Sequence, residues 1–483
     1  MSYLDNLTPK EKSVLKTFPS FQQYYELEKE EFENQTSSDF STYTLKAENI
    51  IFEHDYGFTG ELDCLLAFKN CYFKTDVTFH NVTIKKEINF TRCYFDNELY
   101  IDETSKFEGD FHLIEVSVKR QMYVKGGDFG ICKWTLKDNG ILKINGGKFI
   151  DLNIGYWGAK SILKQLSFHL PKVHGVITVS GNKSKIERLD FFQYSASVSL
   201  SVEDVSVNSI SFYRYRNEKS LRLSNLKSFE TDHPSQFSVV ESYLGKAEFY
   251  SINFEEFRSI NFLDAHFVDT IFVNARFSNS INAYKGRLVG KSEEERALIK
   301  KIKLLEQKRS VFRKWFKRPS YDPSIIAYYE KKREILRQLK YALSKQGDTI
   351  NEQRFHSLEM KAHDRSLTWR KNFWTKLIIK ASSWTGDFGQ SIWRPFLFLL
   401  AGHLLLFYLL LLCGMFSHFY FSWAQRTMDG FWLGFHEYFK LINPLRKTDE
   451  TFAGGFILVD ILMRVWASYM IYNIIRASRR FIK

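Results

Sequence analysis

The sequence predicts a multidomain protein in which a β-solenoid is followed by an α-helical hairpin and then by two transmembrane helices. Three observations support this fold class: a five-residue aromatic period within residues 49–285, a helical apolar stripe within 286–390, and two long apolar runs within 391–483. Residues 1–48 are polar and favour an N-terminal helical cap or tail. A chain of 483 residues is long enough for several such domains.

The five-residue period is clearest at Phe257, Phe262, Phe267, Phe272 and Phe277. In an α-helix, every fifth residue is rotated by about 140°, so these rings would not share a face. A square solenoid with one inward ring per side and about 20 residues per coil fits the period instead. About ten or eleven such coils, stacked at roughly 4.8 Å, would make a rod about 50 Å long.

The segment FLDAHFVDTIFVNARF at 262–277 resembles the pentapeptide-repeat proteins. That resemblance covers residues 249–277 and 68–100 closely, and it implies a right-handed quadrilateral β-helix in which a central Leu or Phe points inward. Between these regions, GVITVSG and SVSLSVEDVSVNSISF alternate with period two, which predicts β-strands in irregular, longer coils. The ladder of rings is expected to be core packing rather than a ligand site.

Two helices joined by a tight turn are predicted in the region that follows. The first covers residues 324–345, and Gly347 ends it. Asp348 or Thr349 caps the second, which is expected to continue to about residue 376.

Glu352, His356 and Glu359 share one face of the second predicted helix. This spacing is compatible with a metal ligand set, but one helix supplies too few ligands, so a solvated or inter-helix face is favoured. The sequence also lacks a Ser-His-Asp order or a second metal-ligand motif. We therefore predict that the protein is not an enzyme and that it has no cofactor, catalytic residue or metal site.

The formal net charge of +13 indicates an anionic partner. The basic residues lie beside the apolar runs and are not interleaved with stacking aromatics along a groove, so anionic lipid headgroups are favoured over nucleic acid. Juxtamembrane Lys and Arg also mark the cytoplasmic side of a membrane. The residues predicted to face lipid are Arg370, Lys371, Lys376, Lys380, Arg394, Arg476, Arg479 and Arg480.

The two apolar runs extend from Phe396 to Phe416 and from Phe452 to Tyr472. About 20 apolar residues in a helix cross a hydrocarbon core of about 30 Å. Basic residues flank both runs, which predicts a hairpin with both chain termini on the cytoplasmic side. The five cysteines are an odd number without a close pair, and the N-terminus lacks a secretory signal pattern, so a reducing cytosol is expected on that side.

The connection between the runs contains MDGFWLGFHEYFKLI at 428–442, which is aromatic and amphipathic. It predicts a short interfacial or re-entrant helix that Asn443 and Pro444 terminate. A helix, a re-entrant helix and a second helix form the layout of two-transmembrane pore-loop channels, although the filter signature of potassium channels is absent.

Asp460 and Arg464 lie within the second run, where charged residues are costly. One interpretation places them in a pore or at a subunit interface, and the other pairs them within their own helix at spacing i, i+4. A lone hairpin would leave such a pair facing lipid, so both interpretations favour a homo-oligomer. The candidate pore or interface residues are Asp460, Arg464, Asn443 and Pro444.

Three C-terminal segments carry a wider resemblance: LRQLKYALSKQGDTINEQRFHSLEMKA, DFGQSIWRPF and VDILMRVWASYMIYNIIRASRRF. They are similar to membrane-anchored bacterial pentapeptide-repeat proteins with a channel-like C-terminus. That resemblance implies a multi-pass protein of the inner (cytoplasmic) membrane, with a cytosolic β-helix joined through a helical hairpin to a two-helix membrane module.

Two functions follow as hypotheses. The first is an oligomeric pore or ion-channel-like effector that a cytosolic β-helix controls, acting in bacterial antiviral or stress defence. The alternative is a non-conducting, membrane-tethered scaffold that recruits a partner through the solenoid. Both hypotheses require an unknown cytosolic partner or ligand on the solenoid.

Overall fold

A computed structural model describes most of the chain in two compact units, residues 1–308 and 309–483. We call them the solenoid unit and the helical unit and describe each by itself. The described residues are 15–35, 43–54, 56–137, 140–156, 162–169, 173–192, 198–278, 281–283, 323–369, 371–412, 438–446 and 455–478, with Ala297, Lys300, Ile302 and His436.

The strands of the solenoid unit pair in parallel with strands of the preceding and following coils. Their bounds are β1 Lys16–Phe18, β2 Thr44–Glu48, β3 Ile50–Phe52, β4 Tyr56–Leu62, β5 Leu65–Lys69, β6 Tyr72–Phe73, β7 Val77–Ile84, β8 Ile88–Thr91, β9 Tyr94–Phe95, β10 Leu99–Ile101, β11 Lys106–Phe107, β12 Phe111–Val118 and β13 Gln121–Val124. They continue with β14 Asp128–Leu136, β15 Ile141–Ile144, β16 Gly147–Tyr156, β17 Ile162–His169, β18 Val173–Phe192, β19 Val198–Tyr213, β20 Leu221–Ser224, β21 Lys227–Ser228, β22 Gln236–Val240, β23 Ala247–Tyr250, β24 Ser259–Leu263, β25 Ile271–Val273 and β26 Ile281–Asn282.

The predicted β-solenoid is confirmed, with about 9 turns. Phe68 pairs with Phe90 in the next coil, and Ile210 pairs with Phe237 in the same way. Both separations along the chain exceed the coil length of about 20 residues that the aromatic period alone predicts. The prediction of ten or eleven coils was therefore too high, because corners and longer sides lengthen each coil without disturbing the inward rings.

The inward direction of the phenylalanine series is also confirmed. Phe257, Phe262, Phe267 and Phe277 are all buried, and Phe272 is half-buried in the last described coil, where its ring stacks on Phe249 at 5.2 Å. Equivalent rings of successive coils stack face to face. Such pairs include Phe52 and Phe73, Phe68 and Phe90, Phe73 and Phe95, Phe107 and Phe129, and Phe129 and Phe149.

The middle of the solenoid consists of longer strands, as the period-two pattern predicted. β18 and β19 pair along most of their length, and both bury alternate apolar residues. Phe168, Phe191 and Phe212 continue the ring ladder here, with centroid separations of 5.4 and 4.6 Å. These segments are therefore coils of the same solenoid.

One corner of the first coils recurs at Asn49, Asn70, Arg92 and Glu115, which all have positive φ angles between 53° and 57°. Asn is one of the few residues that adopts this left-handed conformation readily. The side chain of Asn70 donates to that of Asn49 at 3.2 Å, and its backbone N–H donates to the carbonyl of Thr91 in the next coil. The turn of the chain is thus repeated coil by coil.

The N-terminal segment covers one end of the ring ladder. Helix α1, Phe21–Gln35, buries Phe21 against Phe58 and Phe68, and Tyr24 against Phe52. The same segment also contributes strands β1 and β2, so the solenoid begins within residues 1–48. A covered end is required because each coil otherwise exposes its apolar core.

The helical unit contains five further long helices in its described part. They are α2 Pro323–Lys345, α3 Thr349–Ser366, α4 Phe373–Gly386, α5 Trp393–Leu412 and α6 Gly455–Ser478, with a short 3₁₀ turn Asp387–Gly389 between α4 and α5. The hairpin of α2 and α3 is confirmed. Gly347 has a φ of 73°, and the Asp348 side chain caps α3 by accepting from the Asn351 N–H at 3.1 Å.

The expected end of the second helix near residue 376 was wrong, because α3 ends at Ser366 and α4 is a separate helix. The Ser366 hydroxyl donates to the His363 carbonyl at 2.9 Å. Lys376 of α4 then donates to the carbonyls of Asp364 and Leu367, at 2.9 and 2.7 Å. The helix break is stabilised because a cation from the next helix satisfies carbonyls that have no partner within α3.

α5 and α6 are each long and apolar enough to cross a membrane, over Trp393–Leu410 and Ile457–Ser478. They pack against each other where Gly402 of α5 meets the indole of Trp466. A Cβ atom at position 402 would lie 2.5 Å from that ring, so only glycine permits this approach. The Trp466 indole N–H also donates to the Phe398 carbonyl at 3.2 Å.

Candidate functional site

Residues 438–446 fold back against both apolar helices. The Tyr438 ring packs edge-on against Phe407 and His403 of α5, with centroids 5.6 and 5.2 Å apart, and its hydroxyl donates to the Leu400 carbonyl at 2.9 Å. Leu441 lies in a buried cluster with Phe407, Leu410 and Met463 of α6. The segment is thus held by α5 and α6 together.

The hydrogen bond from Tyr438 to Leu400 lies far from the last described residue of α5. Leu400, which accepts the Tyr438 hydroxyl, lies well before Leu412, the last described residue of α5. At the rise of an α-helix, Leu400 lies about 18 Å along α5 from Leu412. The helical residues 438–442 therefore lie beside the interior of the apolar pair, and the helix ends immediately before Asn443 and Pro444 as predicted.

A buried charge network fixes the end of this segment. Asp460 of α6 is only 3% exposed, and its two carboxylate oxygens accept from Arg446 and from Arg464. The Arg464 bond is 2.8 Å long, and a second guanidinium N–H of Arg464 donates to the Arg446 carbonyl at 2.9 Å. One carboxylate thus joins two guanidinium groups, and one of those groups also binds the backbone of the other residue.

The predicted i, i+4 pair between Asp460 and Arg464 is present. Sequence reasoning missed Arg446, which belongs to the connection between the helices and not to α6. Because of Arg446, the carboxylate is buried within one chain and does not face outward. The argument that an isolated hairpin must leave this pair facing lipid was therefore wrong, and oligomerisation has to be supported on other grounds.

Asn443 and Pro444 lie at the turn just before Arg446. The Asn443 side-chain oxygen accepts from the Leu445 N–H at 3.0 Å, which closes a local turn. Asn443 itself is exposed and Pro444 is half-buried. These two residues position Arg446 toward Asp460, whereas their place in a pore or subunit interface stays a prediction.

The expectation that Lys376 faces lipid headgroups was wrong, whereas the same expectation for Lys380 stays a prediction. Lys376 is only 7% exposed and is directed into the end of α3, where burial lowers the pKa of its ammonium group. Lys380 donates to the Asp364 carboxylate at 2.6 Å. Their positive charges bind α4 to α3. The opposite face of α4 carries apolar residues and is exposed.

The remaining predicted basic residues differ in exposure. Lys371 and Arg394 are exposed beside the two ends of the segment containing α4, in agreement with contact to a polar medium. Arg476 is half-buried against Gly389. Arg370, Arg479 and Arg480 lie outside the described residues.

The inter-helix interpretation of the acidic face of α3 is confirmed. Glu359 forms an ion pair with Lys340 of α2 at 2.7 Å and lies 3.9 Å from His356. Burial raises the pKa of the Glu359 carboxyl, but the contacts with His356 and Lys340 outweigh this effect and lower the pKa to about 2. This carboxylate stabilises the hairpin.

A second ionisable cluster lies on the solenoid, where adjacent coils bring together His80, Asp102, Thr104 and Ser105. The Asp102 carboxylate accepts from Ser105 at 2.9 Å, and it also binds the His80 ring. Burial raises the pKa of the Asp102 carboxyl, but hydrogen bonds from Thr104, Ser105 and His80 outweigh this effect and lower the pKa below its ordinary value. The Ser105 hydroxyl is buried and also bonds the Phe79 carbonyl at 3.0 Å, so this arrangement fixes two coils rather than presenting a nucleophile.

The junction between α4 and α5 is strained and firmly held. Asp387, Phe388 and Gly389 have φ angles of 47°, 58° and 89°, and a positive φ is unfavourable for a bulky residue such as Phe388. Asp387 forms an ion pair with Lys361 of α3 at 3.0 Å. The turn therefore connects the α2–α3 hairpin directly to the base of the apolar helices.

Comparisons of the chain with family models, curated proteins and solved structures find no match.

Proposed function

We propose that the chain is a multi-pass protein of the cytoplasmic membrane and forms an oligomeric, channel-like pore that a cytosolic solenoid controls. The observation that carries this proposal is the return of residues 438–446 between α5 and α6. This layout of helix, re-entrant segment and helix corresponds to that of pore-loop channels. The solenoid is then of the pentapeptide-repeat type, and both chain termini are cytoplasmic.

The physical argument rests on where irregular backbone is tolerated in a bilayer. Non-helical backbone at membrane depth is stable only when it is buried in protein or lines a water-filled cavity. The turn at Asn443 and Pro444 is partly exposed in one chain, whereas Tyr438 and Leu441 are buried. Water or neighbouring copies at this turn would satisfy its polar backbone, which supports an oligomer around an aqueous path.

The charge network supports the same proposal. Charged residues within membrane helices are costly and commonly mark ion pathways. Arg446, Asp460 and Arg464 together carry one net positive charge at the segment's end. In a ring of copies, this charge would repeat around the axis and influence which ions pass.

Two further contacts give a route for control from the cytosolic side of the helical unit. Lys361 and Ser357 of α3 hold the turn at Asp387, through the carboxylate and the backbone carbonyl respectively. A displacement of the α2–α3 hairpin would move this turn and hence the start of α5. The proposed stimulus is a ligand or protein bound by the solenoid, and the proposed setting is antiviral or stress defence.

Recording from planar bilayers tests the pore. The purified full chain should conduct, and Asp460→Asn should alter the single-channel current because it removes the charge that holds Arg446. The matched control is Asn473→Ala, which removes another buried polar side chain of α6 that donates to the Tyr469 carbonyl of the same helix at 2.8 Å. An inserted, oligomeric wild-type chain that carries no current would exclude the pore.

A non-conducting scaffold is the second candidate, and one observation favours it. The carboxylate of Asp460 is fully paired within a single chain, so a purely structural role for the network is physically sufficient. In this case, neither the wild type nor Asp460→Asn would conduct current in planar bilayers. Recruitment of a solenoid partner to the membrane would be unchanged by the substitution. No catalytic role is proposed.

A further inference from the structure

Helix α4 exposes an apolar, aromatic face. Trp374 and Ile378 are 72% and 67% exposed, and the neighbouring apolar residues follow at intervals of three and four, which places them on one side of the helix. Within Phe373–Gly386, all of which the structure describes, the charged side chains are Lys376, which is buried, and Lys380, which lies at the edge of this face and is bound by Asp364. The exposed apolar residues of the face are Phe373, Trp374, Leu377, Ile378 and Trp384.

Both lysines of α4 are bound by α3. Lys376 is bound by two carbonyls at the end of α3, and Lys380 is bound by Asp364. This is the reverse of the pattern in a soluble helix, which buries its apolar residues and exposes its lysines. The two lysine contacts fix the rotation of α4 about its axis and so keep the aromatic face outward.

The position of α4 along the apolar helices is also fixed. The Thr385 and Tyr469 hydroxyls are 3.4 Å apart, and Gly386 and Gly389 lie against Asn473 and Arg476 near the end of α6. α5 begins at Trp393, shortly after α4 ends. α4 is therefore located at the basic end of the two candidate membrane spans.

We propose that α4 lies in the cytoplasmic boundary of the bilayer, with its aromatic face inserted among the lipid headgroups and upper acyl chains. The inference rests on the proposed membrane insertion of α5 and α6. It adds a lipid-binding surface that is separate from the spans. It also assigns membrane contact to the apolar residues of α4, in place of the two lysines.

The apolar residues exposed next to α4 identify lipid as the occupant. α5, a candidate membrane span that begins shortly after α4, also exposes Trp393, Phe396 and Leu397 in its first turns. Tryptophan, with its apolar ring and polar N–H, is enriched at the level of the headgroups. Lys371 and Arg394 are exposed on either side of α4, where each adds about 1 kcal/mol of attraction to an anionic surface.

Insertion of α4 in the headgroup layer would restrict the movement of the helices attached to it. α4 is attached to α3 by the lysine contacts and to α5 by the turn at Asp387–Gly389. A helix embedded in the headgroup layer resists movement toward the cytosol. Because α3 is bound to α4, an embedded α4 would also hold the α2–α3 hairpin at the membrane surface, next to the turn that leads into α5.

Spin labels at matched positions test this proposal in the full chain. Ile378→Cys is compared with Ile350→Cys, which replaces the same residue type at 61% exposure near the α2–α3 turn. Leu462→Cys, on the exposed side of α6, reports whether the spans are inserted. The chain carries Cys413→Ala, and an otherwise identical chain without the new cysteine supplies the background from the four buried solenoid thiols. Vesicles of phosphatidylethanolamine and phosphatidylglycerol provide the bilayer.

The expected result is that the Ile378 label collides preferentially with oxygen, at a depth of about 5–10 Å below the phosphates. The Ile350 label should collide preferentially with a water-soluble nickel complex. A lipid-embedded Leu462 label combined with a water-exposed Ile378 label would overturn the inference and leave the proposed insertion intact. A water-exposed Leu462 label would overturn both. Spin–spin broadening at Ile378 would show that a second copy covers the face, which also overturns the inference.

A charged substitution gives an independent measurement. Ile378→Glu should increase the hydrogen-exchange rate of the α4 backbone amides in vesicles by roughly tenfold, because a carboxylate is disfavoured in the headgroup–acyl boundary. Ile350→Glu should leave the exchange of its own helix nearly unchanged. Equal, small effects at the two positions would contradict lipid contact by α4.

Discussion

The two units of the chain place their aromatic and charged residues in opposite ways. In the solenoid, phenylalanines such as Phe68 and Phe90 stack inside, while ion pairs such as Lys69 with Glu48 join adjacent coils on the outside. In the helical unit, Lys376 and Asp460 are buried, while Trp374 is exposed. This difference supports the proposed placement of the two units in different media, with water around the solenoid and lipid around much of the helical unit.

The units also differ in how their contacts are distributed. Each solenoid coil repeats the contacts of its neighbours, so the loss of one ring affects a few coils. The helical unit depends on unrepeated contacts, such as the network of Asp460 with Arg446 and the pairing of Glu359 with Lys340. Single substitutions should therefore damage the helical unit more widely than the solenoid.

The largest effect is expected for Asp460→Leu, which leaves Arg446 buried without its carboxylate. Removing one partner of a buried ion pair typically costs about 3–5 kcal/mol. SDS-titration unfolding of the full chain in micelles measures this loss. Adding Arg446→Met should restore part of the stability because the uncompensated buried charge disappears. If the double variant loses the sum of both single effects, Arg446 and Asp460 are not energetically coupled.

A somewhat smaller effect is expected for Phe267→Ala in the solenoid core. Truncation of a buried ring costs about 3 kcal/mol, because apolar contacts are lost and a cavity forms. Hydrogen exchange should show the loss in the coils next to Phe267 and leave distant coils protected. Val268→Ala, at the exposed neighbouring position, is the control and should change little. Uniform loss of protection along the solenoid would contradict the distributed stability that the comparison describes.

An intermediate, pH-dependent effect is expected for Glu359→Gln. The folded pKa of Glu359 is about 2, against an ordinary value of 4.5, so the ionised group stabilises the hairpin above pH 4.5 and loses this contribution as the pH falls toward 2. Near neutral pH, the variant should lose about 2 kcal/mol of local stability.

Hydrogen exchange of the α2–α3 amides as a function of pH provides the measurement for Glu359. The matched control is Glu334→Gln, because Glu334 forms an exposed pair with Arg337. It should lower local stability by less than about 1 kcal/mol. If the local stability of the hairpin depends on pH in the same way in Glu359→Gln as in the wild type, this dependence arises from other groups.

The smallest effect is expected for Lys69→Gln on the solenoid surface. Lys69 and Glu48 lie 2.6 Å apart, but both side chains are at least half-exposed. Exposed pairs contribute about 0–1 kcal/mol and are screened by salt. The substitution should shift the thermal unfolding of the solenoid by little, and added salt should reduce this shift further because it screens the pair in the wild type. A loss as large as that for Phe267→Ala would show that the outer ion pairs, and not the rings, hold the coils together.

Local periodicity allowed much of the architecture to be predicted. The five-residue spacing at Phe257, Phe262 and Phe267 depends only on which side of a coil each residue occupies, and it predicted their inward direction. The cap at Asp348 and the stop at Pro444 are likewise local, because each acts on backbone groups within a few residues. The number of coils was not predictable in this way, since lengthened sides leave the period of the rings unchanged.

The partners of the charged residues were decided by tertiary structure. The sequence by itself determined that Asp460 lies in an apolar helix and that its burial requires compensation. It did not identify Arg446, because that partner arrives from a folded-back segment with no periodic relation to α6. Lys376 looked like a lipid-facing residue because basic residues flank the apolar runs. Only the packing of α4 on α3 turned its ammonium group inward and its neighbouring rings outward, since the rotation of a helix about its axis is set by what the helix packs against.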